Sequence, residues 1–260
     1  MERIPNPALD RLHEGKLSLG CGLRMARTIE IARTLAGAGY DFMFIDLEHG
    51  TIPLDMAAQM ALAGLDAGIS GIVRVPRGQY AMATRLLDNG ALGIVIPHVD
   101  TADEAREIVS ALKYPPMGHR SIGPTPQLAG VSLGKAETGR VMNASTLVAV
   151  MLESPQAIEN AEAIAAVEGI DVLMIGTSDL TAEMGIPGEF TDDRVVEAYE
   201  RLIAACAKHG KWPGMGGIYD EPLMQRYIQM GARFLLSGAD LAFLTAAASA
   251  RSRFLRGIAL

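Results

Sequence analysis

Eight short β-rich runs, each separated from the next by a segment of helical length, narrow what this chain can fold into more than any other feature. The runs are LSLGCGL (17–23), FMFIDLE (42–48), SGIVRV (70–75), LGIVIPHV (92–99), TLVAVMLE (146–153), DVLMIGT (171–177), KWPGM (211–215) and ARFLLSG (232–238). Between them, stretches such as TIEIARTLAGAG, PLDMAAQMALAGLDAG and TDDRVVEAYERLIAACAKHG place apolar residues at helical spacing. Several end in Gly, as a left-handed C-cap favours, and Thr101 with Glu104 predicts a capping box opening TADEAREIVSALK. Strand and helix in strict alternation imply parallel strands joined by right-handed crossovers, and eight such units close into a (β/α)8, or TIM, barrel. An open doubly wound sheet is the alternative, but no GxGxxG follows the first run. The 260 residues suit one such barrel, so a single domain over residues 1–260 is expected.

Residues 114–145 break the rhythm. YPPMGHRSIGPTPQLAGVSLGKAETGRVMNAS is rich in Gly, Pro and Ser and far longer than an ordinary connection, which predicts a functional or interface loop, or partial disorder.

The net charge of −7 argues against a general nucleic-acid surface and leaves small molecules as the expected partners. Cys21 and Cys206 lie far apart and outside any CxxC pattern, which points to two reduced thiols rather than a disulfide or a thiolate zinc site. The first residues, MERIPNPALDRLHEGK, lack a signal-peptide core, and no apolar run approaches the roughly 18 residues of a membrane span, so a soluble cytoplasmic protein is expected.

A barrel gathers its chemistry at the C-terminal ends of its strands, and the ionisable residues fall there. Asp46, Glu48 and His49 close the second run, Arg74 nearly ends the third, His98 the fourth and Glu153 the fifth, and Asp179 follows the sixth. Period-2 geometry puts Phe42, Phe44, Asp46 and Glu48 on one face, and Ala149, Met151 and Glu153 on one face of the fifth run. So many acids around one mouth require a cation, an arginine or a shared proton. Glu153 and Asp179 offer hard oxygen ligands suited to Mg2+ or Mn2+, with Co2+ or Zn2+ less favoured although His49 and His98 keep zinc open. Ion pairs with Arg74 are the competing account of the same acids. His49, its ring oriented by Asp46, is the candidate general base, and Arg74 offers a planar fork for a carboxylate or enolate oxygen. The amides of IGTSDLT, around Ser178 and Asp179, are placed to hold a substrate carboxylate. PGMGG (213–217) is a weak phosphate-loop signal, His13, His119 and His209 read as solvated, and the methionines read as core filler.

FIDLEHG, VRVP, ALGIVIPHVDTADEAREIV with YPPMGHRSIG, VMLES and IGTSDL, in that order, resemble the HpcH/HpaI aldolase family, the metal-dependent class II pyruvate aldolases. The resemblance runs from about residue 17 to 250. It implies a barrel of the phosphoenolpyruvate/pyruvate type whose terminal helix is exchanged between protomers, in a hexamer built as a trimer of dimers. The implied reaction makes or breaks a carbon–carbon bond beside a 2-oxo acid, pyruvate or hydroxypyruvate, with an aldehyde as electrophile and a metal-bound enolate between them. Motif by motif, Glu153 and Asp179 match the metal-binding acids, Arg74 the arginine on the keto and enolate oxygen, and His49 with Asp46 the base system. Ser178 and Asp179 match the amides that take the substrate carboxylate. No proposed strand carries a lysine near its C-terminal end, where Schiff-base chemistry needs one.

The chain also departs from the family. Met151 stands where members often have Gln, and LRMART brings Arg24 and Arg27 near the mouth, which opens the substrate question towards acidic or hydroxylated compounds. The other readings are a CoA-thioester lyase of the citrate-lyase-like type, a sugar-phosphate isomerase barrel resting on PGMGG, and a noncatalytic oxo-acid-binding barrel.

Overall fold

In the computed structural model, which describes residues 2–123 and 125–259, all eight runs are strands of one closed parallel barrel in sequence order. They are β1 (Ser18–Leu23), β2 (Phe42–Asp46), β3 (Ser70–Arg74), β4 (Gly93–Ile96), β5 (Leu147–Leu152), β6 (Val172–Gly176), β7 (Trp212–Gly216) and β8 (Phe234–Ala239). The helices are α1 (Pro7–His13), α2 (Glu30–Gly37), α3 (Leu54–Ala67), α4 (Tyr80–Leu87), α5 (Ala102–Leu112), α6 (Lys135–Ser145), α7 (Pro155–Glu159), α8 (Ala161–Ala165), α9 (Thr177–Glu183), α10 (Asp193–His209), α11 (Glu221–Met230) and α12 (Asp240–Arg256). The predicted capping box is made: Thr101 accepts from the Glu104 N–H and the Glu104 side chain accepts from the Thr101 N–H.

Alternation along the strands sorts side chains between two cores. Phe42, Phe44, Ile72, Val95, Met151 and Met174 turn inward and fill the barrel, whereas Met43, Ile45, Val73 and Ile94 face the helices. Phe42 and Phe234 stack with centroids 4.4 Å apart. That stack requires glycine at residue 20, because a Cβ there would lie 2.0 Å from the Phe42 ring. Burying each ring stabilises the fold by about 2–3 kcal/mol.

One end of the barrel is plugged by α1, whose Ala8, Leu9 and Leu12 join the interior cluster. Asn6 caps that helix while its amide nitrogen donates to the carbonyls of Leu92 (3.0 Å) and Ser145 (2.8 Å), and Ser70 Oγ donates to Asn6 Oδ1 at 2.7 Å. With the N-terminal end closed, access to the interior is from the C-terminal end.

Residues 114–145 are more ordered than their composition suggests. A 3-10 turn spans Pro126–Leu128, and α6 follows directly into β5. Tyr114, Leu128, Val141 and Met142 form a satellite core with Ile4 and Leu92. Lys113, buried, donates to the carbonyls of Asn143 (2.9 Å) and Thr146 (2.6 Å) and so ties both ends of the segment together. The helix leaves little trace in the sequence because its apolar positions serve this small local core rather than a broad amphipathic stripe. PGMGG is mostly strand β7, since its inward residues pack against β6, so it is not a loop closed around a phosphate. His209 is half-buried rather than solvated, its Nε2 shielded, because the last turn of α10 lies against the barrel.

Helix α12 has no buried residue, and Leu241, Phe243, Leu244, Phe254 and Leu255 along it are exposed. Among the described residues no helix is long and apolar enough to cross a membrane, and both cysteines are buried free thiols.

Candidate functional site

A cavity of about 320 Å³ opens at the C-terminal mouth, lined by Arg24, His49, Arg74, Glu153, Ser178, Asp179 and Tyr219 among others. The strand ends deliver most of these groups. Asp46 and Arg74 are the last residues of β2 and β3 and lie side by side in register. Glu153 is the residue after β5, and Ser178 and Asp179 are in the first turn of α9.

Asp46 is the hub. Its Oδ1 accepts from Arg74 Nε at 3.0 Å and from the N–H groups of Glu48 (3.1 Å) and His49 (3.2 Å). Its Oδ2 accepts from Arg74 Nη2 at 2.7 Å and Arg24 Nε at 3.1 Å. Burial pushes the Asp46 carboxyl up, but the Arg74 hydrogen bonds and charge, the His49 N–H and the Arg24 charge outweigh it and hold the group below its ordinary range. Arg74 Nη1 lies 2.9 Å from Glu48 Oε2, an ion pair without hydrogen-bond alignment, and 3.9 Å from Met151 Sδ. Met151, one of the chain's departures from the family pattern, therefore touches the arginine.

The expected pairing of Asp46 with the His49 ring is not what the fold makes. Asp46 holds the main chain of His49, while the imidazole stands half-exposed at the rim with Nε2 3.8 Å from Glu48 Oε2. The reason is register: Asp46 ends β2 pointing inward opposite Arg74, and the chain then bends, carrying His49 to the rim of the cavity.

β4 stops at Ile96, so His98 lies two residues past the strand. Its φ of 53° is left-handed, a conformation costing a non-glycine residue on the order of 1 kcal/mol or more. That turn aims the His98 N–H at Glu153 Oε2 (2.8 Å) and sets the ring between Glu153 (Nδ1 to Oε2, 3.2 Å) and Glu48 (Nε2 to Oε1, 3.5 Å). The bridge that His98 makes between two acids has no signal in the sequence beyond its place at a strand end. Arg24 is at the mouth as the sequence suggests, whereas Arg27 turns away to Thr51. Tyr219, in the loop after β7, carried no sequence signal.

Glu153 is buried, and its Oε1 has no hydrogen-bond partner among the described residues. Burial, with the Asp179 charge adding to it, pushes the carboxyl up to about 7 against the opposing effects of His98 and Arg74. Gly176 makes room for it: a Cβ there would lie 2.2 Å from Glu153 Oε1. An unpaired buried oxygen next to a second carboxylate in one cavity suits a hard divalent cation. Among the described residues no cluster of three or more His, Cys, Asp or Glu is arranged to hold a metal, so such an ion would take two protein carboxylates and fill its remaining positions with water and substrate. This donor set fits Mg2+ or Mn2+ better than the His-containing zinc site. Among the described residues no lysine lines the cavity.

Closed barrel, plugged base and a polar C-terminal mouth together define a (β/α)8-barrel enzyme. The profile of the family described as HpcH/HpaI aldolase/citrate lyase matches residues 25–247. The chain belongs to that family and is an enzyme of its lyase class. It is 39% identical over 251 residues to the 4-hydroxy-4-methyl-2-oxoglutarate aldolase cghB of Chaetomium globosum, covering 94% of this chain and 92% of the relative. It is 37% identical over 233 residues to the 4-hydroxy-2-oxovalerate aldolase of Novosphingobium aromaticivorans, covering 88% and 86%. The crystal structure of the HpcH/HpaI aldolase from Desulfitobacterium hafniense DCB-2 superposes with a TM-score of 0.91 at 30% identity, over 96% of this chain and 97% of that one.

Proposed function

We propose that this chain is a divalent-metal-dependent class II aldolase that cleaves and forms the C3–C4 bond of a 4-hydroxy-2-oxo acid. The nucleophilic half is pyruvate or hydroxypyruvate, and the other half is a carbonyl electrophile, an aldehyde in the simplest case. The observation that carries this reading is the buried, unpaired Glu153 Oε1 facing the same cavity as Asp179 and Arg74. The two relatives' names, each a 4-hydroxy-2-oxo acid aldolase, support it.

Glu153 and Asp179 are the residues that would hold the cation. Bound there, a divalent ion supplies Lewis-acid polarisation of the 2-oxo group. Arg74, with Nε and Nη2 fixed on Asp46, keeps donors free on its terminal nitrogens for the oxygen on which negative charge grows. Its rigidity comes from the Asp46 clamp, so little reorganisation is needed when charge develops. The amides of Ser178 and Asp179 would receive the substrate carboxylate.

His49 is the proposed base. In cleavage it takes the proton of the C4 hydroxyl, the C3–C4 bond breaks, the C4 carbonyl forms, and the electron pair becomes an enolate whose oxygen meets Arg74. His49 then returns the proton to C3. In synthesis the order reverses, beginning with removal of a C3 proton. A Schiff base is not needed, in keeping with a cavity that no lysine lines.

The test is exchange of the pyruvate methyl protons in D2O, followed by proton NMR, with EDTA-treated protein and again after adding Mg2+ or Mn2+. Metal-dependent exchange is expected. No exchange with any divalent ion, in protein shown to be folded, would overturn the reading.

We also propose that α12 packs on another copy of the chain, as the hexameric family arrangement implies. What supports this is that no residue of the helix is buried on its own barrel, where Phe243 alone meets an aromatic ring, that of Tyr40, while Leu241, Leu244, Phe254 and Leu255 stay exposed.

A further inference from the structure

Arg24 has no settled partner for most of its guanidinium. Its Nε donates to Asp46 Oδ2 at 3.1 Å, but its two terminal nitrogens make no hydrogen bond among the described residues, and the side chain is 51% exposed at the cavity rim. Asp46 does not need it, since the same oxygen already receives Arg74 Nη2 at the shorter distance of 2.7 Å. Arg24 is thus anchored at one nitrogen, with the two-nitrogen end of its planar fork unused.

The backbone beneath it is held. Asp240, the first residue of α12, accepts from the consecutive N–H groups of Arg24 (3.3 Å), Met25 (2.9 Å) and Ala26 (2.7 Å). A loop fixed by three hydrogen bonds presents its side chain from one place, which lowers the ordering cost when a ligand binds. Tyr219 lines the same rim, and its hydroxyl makes no hydrogen bond among the described residues.

Position decides which part of a substrate would meet this fork. In an eight-stranded closed barrel with sequential order, β1 lies opposite β5. Glu153 follows β5 and Asp179 follows β6, so a nucleophilic 2-oxo acid held by them lies on the far side from Arg24, which follows β1. With its carboxylate taken by the Ser178 and Asp179 amides, as proposed above, its C3 would be left towards the centre. The electrophile that meets C3 must then enter from the Arg24 side, with its substituent towards the fork.

We infer that Arg24 is a specificity-determining residue that binds a carboxylate on the electrophile, so that the favoured electrophile is itself an oxo acid and the favoured aldol a 4-carboxy-4-hydroxy-2-oxo acid. The inference rests on the aldolase reading above and deepens it. Arg–carboxylate pairing is planar and bidentate, which matches a carboxylate adjoining the reacting carbonyl. Asp240 is a positioning residue for it.

The experiment compares glyoxylate with acetaldehyde as electrophile, pyruvate being the nucleophile and Mn2+ the metal, in the unaltered protein and in Arg24→Gln. The quantity read is the ratio of kcat/KM for the two electrophiles, in which differences in their intrinsic reactivity cancel between protein variants. In Arg24→Gln the ratio should fall about ten-fold or more, the usual worth of a charge-assisted hydrogen bond. Arg24→Lys, which keeps the charge but not the fork, should recover part of it. An unchanged ratio in Arg24→Gln would overturn the inference, and if both rates fell together Arg24 would serve only to hold Asp46. Pyruvate methyl exchange in the unaltered protein separates the two failures. Exchange with an unchanged ratio sinks only the role of Arg24, whereas no exchange removes the aldolase reading and this inference with it.

Discussion

Asp46 and Arg74, the final residues of two neighbouring strands, meet in register and share two parallel hydrogen bonds of 3.0 and 2.7 Å. Both side chains are buried, so each charge depends on the other. Asp46→Asn keeps the shape and removes the charge, leaving Arg74 paired only with Glu48. Breaking one side of a buried pair costs about 3–5 kcal/mol, so urea denaturation should register a loss of that order, and turnover should fall about 100-fold or more as Arg74 loses its fixed orientation. Stability within 1 kcal/mol of the parent would show that the clamp is not structural.

Glu153→Gln is expected to act in the opposite sense on stability. The substitution removes a buried charge that has one unpaired oxygen, while the amide oxygen can still accept from the His98 N–H. The metal-free protein at pH 8 should keep or gain stability, whereas Mn2+ binding and pyruvate exchange should both disappear. A variant that still bound Mn2+ with parental affinity would move the metal site elsewhere.

Glu153 also sets a pH dependence. Its carboxyl is raised to about 7 in the folded protein, above the ordinary 4.5, so the fold holds a proton that the unfolded chain has already released. Metal-free stability therefore falls as pH rises from the unfolded value through about 7 and then levels, by roughly 3 kcal/mol in all. A cation must displace the same proton. Mn2+ affinity should accordingly drop about ten-fold per unit below pH 7, and calorimetric titrations at pH 6, 7 and 8 would show it. An affinity independent of pH would mean that Glu153 is not the ligand.

His98 trades backbone strain for placement. Its left-handed φ suits glycine, so His98→Gly should relieve about 1 kcal/mol while removing the imidazole between Glu48 and Glu153. Near-parental stability with turnover reduced at least ten-fold is expected from thermal melts and steady-state rates. Parental turnover would reduce His98 to a turn residue.

Replacing both Phe254 and Leu255 on the exposed face of α12 with Glu should lower the assembly state, measured by light scattering after size-exclusion chromatography. An unchanged mass would place the interface elsewhere.

The barrel was legible because its signals are local. Alternating apolar runs, helical spacing, the Thr101 capping box and glycine stops such as Gly68 and Gly210 each act within a few residues, and all eight strands lie where those signals put them. The face shared by Phe42, Phe44 and Asp46 was legible for the same reason, since period two is a property of any strand. α6 was not, because only Val141 and Met142 of its apolar residues are buried, in a small core with Ile4 and Tyr114, too few to set a helical stripe in the sequence.

The sequence by itself determined the strand count, the direction of the chain and hence the end of the barrel at which Asp46, Arg74, Glu153 and Asp179 gather. Only the tertiary structure decided which of them touch: that Asp46 clamps Arg74 instead of the His49 ring, that His98 bridges Glu48 and Glu153, and that Arg24 donates to Asp46 and is joined at its rim by Tyr219. The physical reason is that strand-end position follows from local periodicity, whereas the partners across a mouth depend on the stagger between strands, which barrel closure sets for all eight together.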